Sequence, residues 1–204
     1  TEKSRLFCEC DRAILNEPLD VLIQYERQIF KEFQVLDWKL YKKIRLEWLE
    51  NNAEGQNIEA LKSYLRTFKP HIGVYAGSFN PFHLGHFNIL QKAENIFDKV
   101  IIAYGKNTMK NAENWEKPKG LWYRQQEDYS GLLTDFIHSL EYPVTVIRGL
   151  RNGTDLQYEL DQYRYLTEMM PDIKVVSLFC DREFAHLSST FIRSLKNFDK
   201  DKGY

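Results

Sequence analysis

Ile72-Gly73-Val74-Tyr75-Ala76, then Gly77-Ser78-Phe79-Asn80-Pro81-Phe82-His83-Leu84-Gly85-His86, then Val100-Ile101-Ile102-Ala103-Tyr104: this succession of segments decides the fold. The outer two are short apolar runs, as expected of strands buried on both faces. Between them Phe87, Leu90, Ala93 and Phe97 recur at helical spacing. A strand, a helix and a second strand within about thirty residues form a right-handed crossover, so the two strands are predicted to be parallel. The alternation continues downstream. Val144-Thr145-Val146-Ile147 reads as a strand, Asp155 to Met170 as a helix, Ile173 to Phe179 as a strand, and a last helix opens near Ser188. The expected fold is α/β, a doubly wound parallel sheet of Rossmann-like type, with its ligand outside the strand C-termini.

Upstream the texture differs. Residues 1–69 contain one proline, Pro18, and one glycine, Gly55. Leu22, Ile23, Ile29, Phe30, Phe33, Leu36, Leu40, Ile44 and Leu46 keep helical periodicity from Leu19 to Leu49. Asn51-Asn52-Ala53-Glu54-Gly55 breaks it, and a shorter helix runs from Ile58 to Phe68 before Pro70. Two regions follow from this: a helical one over 1–69 and an α/β one over 70–204. The helical region holds no phosphate loop and no His or Cys cluster at ligand spacing. Packing, oligomerisation and partner binding all remain open for it.

The bulk composition narrows the function class. The chain has 204 residues, of which 43% are hydrophobic and 28% charged, and its net charge is −1. That balance provides no overall basic field for nucleic acid. No apolar run reaches the roughly 20 residues that cross a bilayer. The charged start Thr1-Glu2-Lys3-Ser4-Arg5 is not a secretion signal. It also lacks an initiator Met, as a trimmed piece of a longer protein would. Cys8, Cys10 and Cys180 are sparse and odd in number, which suits a reducing cytoplasm. Neither nucleic acid nor membrane is expected as a partner.

Phosphate binding must therefore be local, and three segments offer it. Gly77 to His86 lies where the first strand hands over to a helix, so backbone N–H groups and the helix dipole favour an anion there. His83 and His86, three apart, add two imidazoles, and Gly85 leaves room between them. The competing reading, a metal site, lacks neighbouring carboxylates. Arg148-Gly149-Leu150-Arg151-Asn152-Gly153-Thr154-Asp155-Leu156-Gln157-Tyr158-Glu159 sets two guanidinium forks at another strand end. Leu187-Ser188-Ser189-Thr190-Phe191-Ile192-Arg193 opens a helix with more hydroxyls than one cap requires.

These segments carry a resemblance. The His83-to-His86 pattern is similar to the H-x-G-H signature of the nucleotidyltransferase superfamily. Arg148 to Glu159 resembles the R-G-L-R-x-x-x-D-x-x-Y-E segment of the phosphopantetheine adenylyltransferases, and Ser188 to Arg193 resembles a serine-rich segment shared by several branches. Gly105-Lys106-Asn107-Thr108-Met109-Lys110 resembles the family's G-x-N-x-x-K, with Lys106, Lys117 and Lys119 as competitors for the lysine's role. The likeness spans about residues 71–196. The chain departs from the family at Asn80, where Asp is usual, and at Leu166, where an Asn is expected near the pantetheine arm.

The resemblance implies an adenylyltransferase that moves AMP from ATP to 4′-phosphopantetheine, giving dephospho-coenzyme A and pyrophosphate. By the same carry-over, His86 donates to the α-phosphate, while Ser78 and Lys110 orient the phosphates of acceptor and ATP. Arg148 would bind the acceptor phosphate. Arg151 with Ser188, Ser189 and Thr190 would hold the β- and γ-phosphates. Glu159 would face the ribose or order the site, and His83 would lie on the adenosine side. Gly77, Phe79 and Gly149 complete the implied ATP site. Mg²⁺ is expected to arrive with the triphosphate, with no metal ligands from the protein, and a homo-oligomer is expected. Two alternatives stay open: adenylyl or cytidylyl transfer to another acceptor such as nicotinate or nicotinamide mononucleotide, and a nucleotide-binding sensor without turnover.

Overall fold

The computed structural model describes residues 13–106 and 117–196. The chain divides into two compact units, Thr1–Lys69 and Pro70–Tyr204.

In the first unit a 3₁₀ turn, Ala13–Asn16, precedes helices α1 (Leu19–Glu32), α2 (Trp38–Asn52) and α3 (Gln56–Thr67). The periodicity that runs unbroken from Leu19 to Leu49 is thus split into two helices. The reason is Asp37. Its carboxylate accepts from the backbone N–H groups of Lys39 at 2.8 Å and Leu40 at 3.3 Å, which caps a new helix start. Leu22, Leu49, Ala53, Ile58, Leu61 and Leu65 bury together as the core of the three helices. An aromatic group sits beside it: the Phe30 ring lies 5.2 Å from Trp38 and 4.9 Å from Tyr41, and Trp38 lies 5.7 Å from Phe68. Into this apolar setting α1 projects one acid. Glu26 is only 2% exposed. It accepts from the Tyr41 hydroxyl at 2.6 Å and from Arg45 Nε at 2.8 Å, so its charge is paired as burial demands.

The second unit is built on five strands: β1 (Ile72–Gly77), β2 (Lys99–Lys106), β3 (Gln126–Ser130), β4 (Thr145–Leu150) and β5 (Lys174–Phe179). The sheet order is β3-β2-β1-β4-β5, and every neighbouring pair is parallel. This is the α/β doubly wound sheet that the apolar runs predict. Helix α4 (Leu84–Glu94) joins β1 to β2, α5 (Leu133–Leu140) joins β3 to β4, α6 (Gly153–Met169) joins β4 to β5, and α7 (Ser189–Lys196) follows β5. β1 and β2 pair from Ile72–Lys99 to Gly77–Tyr104, which confirms the crossover between them. The core gathers Tyr75, Ile102 and Ile147 from the sheet with Ile89, Leu90 and Ala93 from α4. Phe97 joins that core from just beyond the end of α4.

From β1 the chain runs outward to β2 and β3 on one side, and later to β4 and β5 on the other. The strand order therefore reverses between β1 and β4, and a crevice opens outside their C-terminal ends. Every segment that carries chemistry in the sequence leaves a strand at this end or opens a helix there. No described helix is long and apolar enough to cross a membrane.

Candidate functional site

The crevice is a cavity of about 310 Å³. Of the residues read from sequence it brings together His83, His86, Gly149, Arg151, Glu159, Ser188, Ser189 and Thr190. Three helix starts converge on it, those of α4, α6 and α7, and each is arranged by its own local chemistry.

At the first, β1 ends in Gly77 and the chain turns sharply. Phe79 takes a positive φ of 43°, and its ring folds back under the turn. A side chain at Gly77 would have its Cβ 2.9 Å from the Phe79 ring, so glycine is required for this fold-back. The Phe79 ring is buried against Tyr75, Phe82, His86 and Tyr104, so any part it takes in ATP binding falls to its backbone. Ser78, next to it, is exposed at the end of β1. His83 then stands at the N-cap of α4 and His86 in its first turn. The two rings stack at 3.6 Å between centroids, inclined by 23°. Gly85 makes this possible from below: a Cβ there would press the His83 ring at 3.1 Å.

The protonation of these rings follows from their surroundings. Burial, then the charge of Arg151, lowers the pKa of His83 to about 4. Burial, then His83 and Arg151, holds His86 well below the ordinary histidine value. Both rings are neutral near pH 7. The His83 backbone N–H donates to His86 Nδ1 at 3.2 Å, so that nitrogen carries a lone pair. The single ring proton of His86 must then sit on Nε2, as a donor. His83 Nδ1 is buried without a hydrogen-bond partner, which suits a neutral ring better than a cation.

A pH dependence follows. The folded pKa of His83 lies below the unfolded value of about 6.5, so between the two the unfolded chain binds more protons. The stability that His83 contributes is lost as pH falls from about 6.5 toward 4. In an NMR titration the His83 ring signals are expected to move near pH 4. A midpoint at 6 or above would contradict the buried neutral ring.

At the second helix start, Asn152 caps α6, its side chain accepting from the N–H groups of Thr154 and Asp155 at 3.0 and 3.1 Å. Arg151 precedes the cap. Its Nε and Nη2 grip Asp155 at 2.8 and 2.9 Å in a bidentate fork, and its Nη1 donates to the Leu187 carbonyl at 3.1 Å. One guanidinium thus joins the arginine segment to the serine segment. The hydrogen bond from Arg151 lowers the pKa of Asp155, so the pair stays ionised.

At the third start the hydroxyls are already engaged. Ser188 Oγ accepts from Phe191 N–H at 3.1 Å as the cap, and Ser189 Oγ donates to the Pro81 carbonyl at 3.0 Å. Thr190 Oγ1 accepts from Arg193 Nη2 at 2.9 Å, and Arg193 Nη1 also donates to the Asn80 carbonyl. The segment ties α7 to the turn after β1, which leaves its opening backbone N–H groups as the donors for an anion.

Arg148 is placed differently. It lines a neighbouring cavity of about 380 Å³ between α6 and β5, with Leu156, Leu160, Tyr163 and Ser177. Glu159 borders both cavities. Arg148 Nε lies 3.2 Å from Glu159 Oε2, and its Nη1 donates to the Ala76 carbonyl at 3.4 Å. Burial raises the pKa of Glu159, and Arg148 opposes that rise. Lys110 lies outside the described residues, as do Asn107 to Met109 and Cys8 and Cys10. Of its competitors, Lys106 and Lys117 pair with Asp128 at 3.5 and 3.0 Å.

The cavity wall also includes Tyr75, Ile89, Asp155, Tyr158 and Cys180, which the sequence reading did not assign to the site. Asp155 and Tyr158 stand inside the arginine segment and were legible there. Tyr75 looks like any strand residue, and Cys180 enters only because the chain leaves β5 beside α4.

A cradle of helix starts, a neutral donor histidine and a fixed arginine offers hydrogen-bond donors to an anion. The cytidylyltransferase-like family model matches residues 74–121. The phosphopantetheine adenylyltransferase of Mycoplasma capricolum subsp. capricolum is 36% identical over 142 residues, which is 63% of this chain and 99% of that one. The Porphyromonas gingivalis protein of the same name is 33% identical over 145 residues, 65% of this chain and 92% of its own. A solved bifunctional NMN adenylyltransferase/ADP ribose pyrophosphatase from Francisella tularensis overlaps loosely, with TM-score 0.42, 16% identity, and coverage of 62% of this chain and 41% of that one. A relative matched over nearly its whole length, on the same sheet that carries the histidine turn and the two arginines, leads to one assignment: this chain belongs to the phosphopantetheine adenylyltransferase family.

Proposed function

We infer that this protein transfers AMP from ATP to 4′-phosphopantetheine, yielding dephospho-coenzyme A and pyrophosphate. The observation that carries the reading is the near-complete match to adenylyltransferases of that specificity, joined to a cavity walled by His86, Arg151 and the start of α7. A phosphate oxygen of the acceptor attacks the α-phosphorus of ATP in line. The new P–O bond forms as the bond to the β-phosphate oxygen breaks, and pyrophosphate leaves with that electron pair. The acceptor brings its own nucleophile, so the protein's task is positioning and charge stabilisation.

His86 Nε2–H donates to the α-phosphate oxygens as charge builds there. Arg151, locked by Asp155 and Leu187, together with the α7 N–H groups, receives the β- and γ-phosphates. Ser78 at the end of β1 lines neither cavity, and it and Lys110 are assigned to the acceptor side by the family motif. Arg148 reaches the acceptor phosphate from the second cavity, with Glu159 between the two pockets. No group of three or more His, Cys, Asp or Glu among the described residues is placed to hold a metal ion. By the family resemblance, Mg²⁺ would travel on the triphosphate, whose charge it neutralises.

The test is pyrophosphate release with ATP and Mg²⁺ in the presence of 4′-phosphopantetheine, nicotinate mononucleotide or nicotinamide mononucleotide. Release is expected with phosphopantetheine alone, and release only with a mononucleotide would overturn the acceptor. Arg148→Ala is expected to raise KM for phosphopantetheine by about tenfold or more, the worth of one charge-assisted hydrogen bond, with KM for ATP changed little. The reverse pattern would place Arg148 on the nucleotide side.

A further inference from the structure

Tyr129, near the end of β3, shares a face of the sheet with Arg148. It pairs in register with Gly105 on β2, while Ala103 pairs with Ala76 and Ile147 with Tyr75. Arg148 is therefore level with Ala76, to whose carbonyl it donates. Side chains alternate along each strand, so Arg148, Ala76, Ala103, Gly105 and Tyr129 all belong to one face. Between the arginine on β4 and the tyrosine on β3, that face carries two alanines and a glycine near the strand ends. Ala76 and Ala103 are buried.

The Tyr129 ring is held in place from two sides. It stacks on Phe136 of α5, with 5.2 Å between centroids and 24° between planes. A Cβ on Gly105 would stand 2.9 Å from the Tyr129 hydroxyl oxygen, 3.1 Å from Cζ and 3.4 Å from Cε1. The hydroxyl end is thus the part nearest β2, and the ring leans off its own strand toward β1 and β4. Burial, opposed by the charge of Arg148, raises the pKa of Tyr129. The hydroxyl keeps its proton at neutral pH and lies near enough to feel the guanidinium. Among the described residues it donates to no protein acceptor. Glu127 belongs to the same face two residues earlier on β3, where its Oε1 accepts from Gln125 Nε2 at 2.9 Å.

We propose that Tyr129 binds the acceptor: its hydroxyl donates a hydrogen bond to the acceptor phosphate from the side opposite Arg148, at the C-terminal end of the sheet. The inference rests on the proposed transfer to a phosphate-bearing acceptor. A cation alone attracts the phosphate, whereas a second donor fixed across from it sets which way the oxygens point. In-line attack depends on that orientation.

Tyr129→Phe removes the hydroxyl and keeps the ring on Phe136. Steady-state kinetics of the full-length chain should show KM for phosphopantetheine raised about tenfold, the worth of a hydrogen bond to a charged group, and KM for ATP changed by less than about twofold. Pantetheine, which lacks the phosphate, should compete equally well in wild type and variant. Should wild type accept a different phosphate-bearing acceptor instead, the same comparison is made with that compound, so the acceptor's identity and the role of Tyr129 fail separately. An unchanged acceptor KM in Tyr129→Phe overturns that role. So does an equal loss for pantetheine, which would mark packing of the ring and not its hydroxyl. A wild type that releases pyrophosphate with none of the phosphate acceptors overturns the proposed function and this inference together.

Discussion

Replacing His86 by alanine is expected to lower kcat by roughly two to three orders of magnitude, the range lost when one transition-state hydrogen-bond donor is removed. The affinity for ATP should change far less, because the α7 N–H groups and Arg151 remain. The expectation rests on the proton inventory of the ring. With Nδ1 occupied by the His83 N–H, only Nε2 is left to donate, and burial keeps the ring neutral. Two further variants separate this role from packing. Asparagine can accept from the His83 N–H but cannot reach the Nε2 position, so His86→Asn should be nearly as slow as alanine. Glutamine carries an amide N–H near Nε2, so His86→Gln should recover part of the rate. Steady-state kinetics with a separate ATP-binding measurement decide the matter. A kcat within about threefold of wild type for the alanine variant would remove His86 from the transition state.

The largest stability effect is expected in the helical unit. Glu26→Ala should cost about 3–5 kcal/mol, because it strands two buried partners at once. Burial, then the nearby Glu26 carboxylate, raises the pKa of Tyr41, so its hydroxyl remains a donor with nothing to donate to. Arg45 would keep its charge without a counter-ion. Glu26→Gln should cost less, since its amide oxygen still accepts. Hydrogen exchange reads the effect locally: the slow amides of α1, α2 and α3 should lose two or more orders of magnitude in protection. Loss of less than about tenfold would mean that water or a rearranged side chain satisfies the partners.

The sequence shows the first crossover plainly because its strands are continuous apolar runs that admit one reading. It does not show β3. Gln126-Glu127-Asp128-Tyr129-Ser130 is an edge strand with polar side chains, and edge strands need no apolar pattern. The split between α1 and α2 was hidden for the opposite reason, since Phe33 and Leu36 continue the periodicity through the turn and only Asp37 marks the new start. Within the site, residue types and spacing mark the three helix starts that meet at the cavity. They do not reveal that Arg148 opens onto a different cavity from Arg151. Residues in the last turns of a strand alternate between faces, and which cavity each one reaches depends on the helix packed over it. Nor do they show that Ser188, Ser189 and Thr190 spend their hydroxyls on structure, because those partners lie on the far turn after β1.

Those distant partners determine when the protein becomes competent during its synthesis. Ser189 binds Pro81 across 108 residues, Arg193 binds Asn80 across 113, and Asp181 binds Asn88 across 93. The ribosome releases the chain from its N-terminus, so β1 and the histidine turn emerge long before the residues that close over them. A nascent chain that has released β1 to β4 has the central strands of the sheet but lacks one wall of the nucleotide cavity. On the proposed function, the wall that would hold ATP is complete only once the last helix has docked.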